Sequence, residues 1–121
     1  MNQIIKLSVL LILAFSSLGQ EQQSIFFNSG EYTTIQTSVI STQFEQSEVV
    51  EGKYFRLIQF NTIPNQQVKD ELAAQGVMLV EYLPKNAFFA QVLVDADLSV
   101  LNQFDVFSVE PIQANFKLSK G

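Results

Sequence analysis

The segment "VMLVEYLPKNAFFAQVLV", Val77 to Val94, constrains the fold more than any other part of this chain. Two apolar runs, Val77 to Leu83 and Ala87 to Val94, flank a Pro84-Lys85-Asn86 turn in which Asn86 suits the backbone of a tight reversal. Side chains alternate between the two faces of a strand, and here both faces carry large apolar groups. A hairpin built this way needs cover on two faces, whereas a small antiparallel sheet normally leaves one face to water.

The surrounding sequence supplies cover for one face. "KYFRLIQFN", Lys53 to Asn61, is dense in the aromatic and branched residues that strands favour and ends at a turn signal around Pro64-Asn65. "NQQVKDELAAQG" then offers Asn65 as N-cap, Val68 and Leu72 at i and i+4, and a terminating Gly76, which predicts a helix of two to three turns. After the hairpin, Asp95 or Asp97 caps a short helix through "LSVLNQF", and "VFSVEPIQ" reads as a final strand stopped near Pro111. The order is strand, helix, strand, strand, helix, strand. The fold class expected is α+β, a ferredoxin-like four-stranded antiparallel sheet with two helices on one face.

Two helices bury only one face. The wholly apolar set Phe88, Ala90, Val92 and Val94 is assigned to them. The alternating set Ala87, Phe89, Gln91 and Leu93, with residues from Val77 to Tyr82 and one face of Tyr54 to Phe60, is left pointing the other way. An exposed apolar patch of more than about 300–600 Å² usually marks a binding surface. The open face is therefore a candidate docking surface, with two plainer alternatives: it is covered by the N-terminal segment of the same chain, or by a second copy.

Composition narrows the chemistry. The chain has 121 residues with Lys+Arg 7 and Asp+Glu 12, a mildly acidic balance that argues against nucleic acid or an anionic membrane surface as partner. It contains no histidine and no cysteine, which excludes a Ser-His-Asp triad, a Cys-His pair and any metal site built on those ligands. Asp70/Glu71 and Asp95/Asp97 are accounted for as helix-end charges, and Ser119-Lys120 is too close to the end to form a Ser-Lys site. The chain is read as non-catalytic by itself, with no cofactor.

Residues 1–19 have the three-part build of a secretory signal peptide: Lys6, an apolar run from Leu7 to Phe15, then small Ser16, Ser17 and Gly19. The run is shorter than the roughly 20 residues a spanning helix needs, so export to the periplasm or beyond the cell is expected, with no membrane contact after cleavage. Residues 20–52, rich in Gln, Ser and Thr, read as a polar and partly disordered leader holding one or two short strands, for example Tyr32 to Ile40. The domain proper is placed at 53–112 and an extended tail at 113–121.

"KYFRLIQFNTIP", "LAAQGVMLVEYLPKNAFFAQV" and "VFSVEPIQANFKLS" together resemble the N-terminal prodomain of secreted bacterial subtilisin-like serine proteases. The resemblance covers about Lys53 to Lys120 and rests on the combination of Gly76, the Tyr82-Leu83-Pro84-x-Asn86-Ala87 turn and the Lys117-Leu118-Ser119 ending. It implies a folding assistant and temporary inhibitor whose open sheet face (Ala87, Phe89, Gln91, Leu93) docks on helices of the protease. Glu110, matching a Val-Glu pair of that family, would cap a protease helix, while Ile112 stands where the family often has a second acid. The tail Gln113, Ala114, Asn115, Phe116, Lys117 and Leu118 would lie in the substrate cleft like a product. No protease domain follows in this sequence, so the expectation is either the front part of a longer precursor, itself a serine endopeptidase, or a stand-alone inhibitor. The alternative of another class is a secreted interaction module that self-associates through the same open face.

Overall fold

The structure, a computed structural model, describes residues 21–27 and 30–112. The segment read as a signal peptide and the tail from Gln113 onward lie outside the described residues. Among the described residues six strands form: β1 (Gln22–Phe27), β2 (Gly30–Ile35), β3 (Lys53–Phe60), β4 (Val77–Leu83), β5 (Ala87–Leu93) and β6 (Val106–Pro111). A single α-helix among the described residues, α1 (Gln66–Ala74), joins β3 to β4, and a 3-10 helix over Leu98–Gln103 joins β5 to β6. The protein is α+β: β3 to β6 make a four-stranded antiparallel sheet in the order β4-β5-β3-β6, and β1 and β2 make a separate two-stranded sheet.

Local chemistry accounts for the element ends. Asn65 caps α1, its side chain accepting a hydrogen bond from the Val68 N–H at 2.9 Å. Asp97 caps the second helix by accepting from the Ser99 N–H at 3.0 Å. That element winds as a 3-10 helix; six residues carrying three buried apolar side chains (Leu98, Val100 and Leu101) make a packed connector rather than an α-helix. The β4–β5 turn takes Lys85 and Asn86 into the left-handed region, at φ 78 and φ 64, as the turn chemistry predicts.

Strand pairing sorts the side chains onto two faces. Tyr54, Arg56 and Ile58 of β3 oppose Val92, Ala90 and Phe88 of β5. This inner face packs with Leu72 of α1 and with Leu98, Val100 and Leu101 in one apolar cluster. Phe88, Ala90 and Val92 thus lie where the sequence assigns them, while Val94, just beyond β5, is exposed. On the outer face Leu57 opposes Phe89, and a second cluster forms from Leu57, Leu83, Ala87 and Phe89 together with Ile25 of β1.

The largest difference from the sequence reading is the N-terminal segment. In place of a polar, partly disordered leader with one or two short strands, residues 21–27 and 30–50 form an arm that wraps the sheet. The β1–β2 hairpin lies on the outer face with Ile25 and Thr34 fully buried. The chain then passes the β6 edge, where the Thr37 N–H donates to the Phe107 carbonyl at 2.9 Å and its hydroxyl accepts from the Val109 N–H at 3.0 Å. It reaches the inner face with Ile40 in the core and Phe44 stacked on Tyr54, ring centroids 4.4 Å apart. A tight turn with Glu51 and Gly52 at positive φ returns it to β3, Val50 and Lys53 exchanging backbone hydrogen bonds across the turn. Of the three covers open to the outer face, the chain uses its own N-terminal segment over part of it.

Gly76 closes the turn from α1 into β4 at φ +92, and a Cβ there would sit 2.9 Å from the Ala96 Cβ. Gly76→Ala therefore carries both backbone strain and a contact between two rigid groups. A loss of about 1–2 kcal/mol is expected, read as an earlier midpoint in urea unfolding with an unchanged slope.

Candidate functional site

The outer face is built by the odd-numbered positions of β5, because Ala87, Phe89, Gln91 and Leu93 share one side of the strand. All four predicted docking residues of that strand are therefore on one face, and Glu110 joins them through its pairing with Leu57. The hairpin divides the set. Ala87 and Phe89 are buried beneath it, with the Phe27 and Phe89 ring centroids 6.0 Å apart. Glu110 is half-buried and accepts a 2.8 Å hydrogen bond from the Tyr32 hydroxyl. Gln91 is half-buried and Leu93 is exposed, beyond the reach of the covered cluster.

Two buried polar side chains of β3 fix where the arm sits. Gln59, on the outer side, has no solvent exposure. Its amide NH₂ donates to the carbonyls of Ser24 at 3.0 Å and Lys85 at 2.9 Å, and its carbonyl oxygen accepts from the Thr34 hydroxyl. An amide buried with its donors and acceptor used favours one docking register for the hairpin, since any shift leaves desolvated polar atoms unpaired. Arg56, on the inner side, is 5% exposed. Its guanidinium donates to Glu48 at 2.6 Å and to the Gln43 carbonyl at 2.6 Å, and lies 4.8 Å from the centroid of the Tyr54 ring. Asn102 holds the same stretch by bonding both the N–H and the carbonyl of Ile40.

What the hairpin leaves uncovered is the end of the outer face where β3 begins. Met78 opposes Gln91 and Gln91 opposes Phe55, so one row crosses three strands, and Leu93 stands two residues along β5 from it, opposite Lys53. Phe55, Met78 and Leu93 are 44%, 53% and 43% exposed, and Ile112 just beyond β6 is 37% exposed. Phe55 and Met78 belong to the segments grouped with the open face in the sequence, but only the register singles them out.

Elsewhere, a cavity of ≈ 320 Å³ lies under the arm, with Ser41, Gln43, Glu48 and Arg56 in its wall. The polar groups of Arg56 and Glu48 there are already turned on each other. Among the described residues no group of three or more His, Cys, Asp or Glu is placed to hold a metal ion. Among them, too, no helix is long and apolar enough to cross a membrane. The Tyr54 hydroxyl is buried, and burial raises its pKa above the ordinary tyrosine value.

A family model described as "Domain of unknown function (DUF8729)" matches residues 14–113, a span that takes in the hairpin, the arm and the sheet together. No curated protein and no solved structure matches the chain.

The hydrogen bond from Arg56 holds the Glu48 carboxyl below the ordinary glutamate value, against the opposing effect of its burial. A lowered folded-state value contributes stability that is complete above the unfolded value and fades as the pH falls through the lowered one. Melting temperature should therefore decline as pH drops below about 4.3, with a shallower decline in Glu48→Gln, as followed by circular dichroism. An identical acid profile for the two proteins would remove Glu48 from the account of how the arm is held.

Proposed function

The chain belongs to the DUF8729 family, and we propose that it acts as a prodomain-type module, a folding assistant and temporary inhibitor of a subtilisin-like serine protease, in cis or in trans. The observation that carries the reading is the patch of Phe55, Met78 and Leu93, which stays exposed at the end of the sheet face that the hairpin does not cover. Leaving three large apolar groups about half exposed forgoes about 1–1.5 kcal/mol of burial for each, and a partner surface recovers it. The sequence resemblance over Lys53 to Lys120 names the partner class. The finer topology proposed is ferredoxin-like, supported by the sheet order β4-β5-β3-β6 and by the helices entering after β3 and β5.

In this reading the module is exported, carries no catalytic group or cofactor, and works by shape. The outer face braces protease helices. Gln113 to Leu118 run extended into the substrate cleft, where a strand-like segment pairs its backbone with the enzyme and alternates Phe116 and Leu118 into its pockets. Glu110 sits beside the docking face, an anion suited to the N–H groups at a helix N-terminus.

Binding of the purified chain to a subtilisin-like protease whose nucleophilic serine has been replaced tests the docking surface. Phe55→Asp with Leu93→Asp should raise Kd at least about tenfold, the equivalent of 1.4 kcal/mol, while Ile63→Asp, an exposed site in the β3–α1 connection, leaves it unchanged. Equal Kd for all three proteins would overturn the proposed surface. Deleting residues 116–121 should raise the inhibition constant against the active protease by a similar factor without moving the melting curve, and full inhibition after the deletion would remove the cleft-occupying tail from the mechanism.

A further inference from the structure

The β1–β2 hairpin occupies the half of the outer face that the docking surface would otherwise extend across. Beneath it lie Leu57, Leu83, Ala87 and Phe89, all apolar and all buried. The hairpin meets them with Ile25 and Phe27, and it meets Glu110 with a hydroxyl donor from Tyr32. Apolar contact to the sheet plus a hydrogen-bond donor to Glu110 is also the chemistry that a docking protein surface would present there. The hairpin thus stands in for a partner on half of the site.

We infer that the hairpin is a built-in competitor, and that protease docking displaces it from the sheet to expose a second, cryptic half of the surface centred on Phe89. The inference rests on the protease-docking reading above. The build of the arm allows such an exchange. The inner part of the arm is held independently of the hairpin, by Arg56 on Gln43 and Glu48, by Asn102 on Ile40 and by Ile40 in the core. Lifting residues 22–35 therefore leaves the inner cluster and its polar clamps in place. On the outer face the loss includes one small apolar cluster and the bonds of Gln59, Glu110 and Gln23. A partner that covers the same apolar residues, offers a donor to Glu110 and pairs the Gln59 amide restores what the hairpin gave. The apparent affinity is then the intrinsic affinity reduced by the fraction of molecules with the hairpin lifted.

The chain has no cysteine, which makes a reversible lock clean to build. Gln23 of the hairpin and Asn61 beyond β3 have side-chain amides 3.3 Å apart, at the far end of β3 from Phe55. Gln23→Cys with Asn61→Cys, bridged by a short bis-methanethiosulfonate, ties the hairpin down without touching the docking row. Binding to the serine-replaced subtilisin-like protease should weaken at least about tenfold when bridged and recover on reduction. In the opposite direction, Ile25→Ala removes buried apolar contact from the hairpin alone and should tighten binding at least about threefold. Amide exchange of β5 and α1 in each variant confirms that the sheet stays folded. Equal affinity of bridged and reduced protein overturns the inference and leaves the protease reading intact, with docking confined to the open row. Binding by Ile25→Ala alone supports it in its strongest form, and absence of binding by every variant removes the protease reading and this inference with it.

Discussion

Strand β3 is the element on which the structure depends, because it sits inside the sheet with a packed layer on each face. From Tyr54 to Phe60 every side chain except Phe55 is buried, and two of them, Arg56 and Gln59, are polar. Burying a guanidinium or an amide is costly unless its donors and acceptors are matched. The matching groups come from the N-terminal arm: Glu48 and the Gln43 carbonyl for Arg56, Thr34 and the Ser24 carbonyl for Gln59. One strand therefore dictates the path of some thirty residues that precede it. The hairpin goes to the outer face because Gln59 points there, and the following stretch goes to the inner face because Arg56 points there.

That arrangement gives the sheet an asymmetric outer face. The end near the β4–β5 turn is sealed by Ile25, Phe27 and the Gln59 amide, while the end near Lys53 keeps Phe55, Met78 and Leu93 in water. A module that docks by its sheet gains from such a division: the sealed half lends the free chain extra core, and the open half offers a first foothold. A sheet domain of this size without disulfides has a small reserve of stability, so added cover in the free state matters.

The sheet itself was legible in the sequence. Alternation in Ala87 to Leu93, the Asn65 cap, Gly76 and the Lys85-Asn86 turn are local signals, and each sits in the structure where local chemistry puts it. The arm was not legible, for a physical reason. Its sheet-facing positions include Gln23 and Thr34, so the strand period is diluted by polar residues whose partners, Asn61 for Gln23 and Gln59 for Thr34, lie far along the chain. The reverse signal was present in β3, where Arg56 and Gln59 interrupt an otherwise apolar strand; two polar residues on opposite faces of a central strand imply a partner segment on each side. The exposed apolar patch was half legible: Leu93 follows from alternation, whereas Phe55 and Met78 become neighbours of Gln91 only through the cross-strand register.

Hydrogen-exchange footprinting of the chain bound to a serine-replaced subtilisin-like protease reads the whole outer face at once and so decides whether a partner docks there. New protection is expected in Lys53–Leu57, Val77–Leu79 and Gln91–Leu93, with loss of protection in β1 and β2. Protection confined to α1 and the Leu98–Gln103 helix, or no change at all, would contradict the claim that the outer sheet face is where this protein meets its partner.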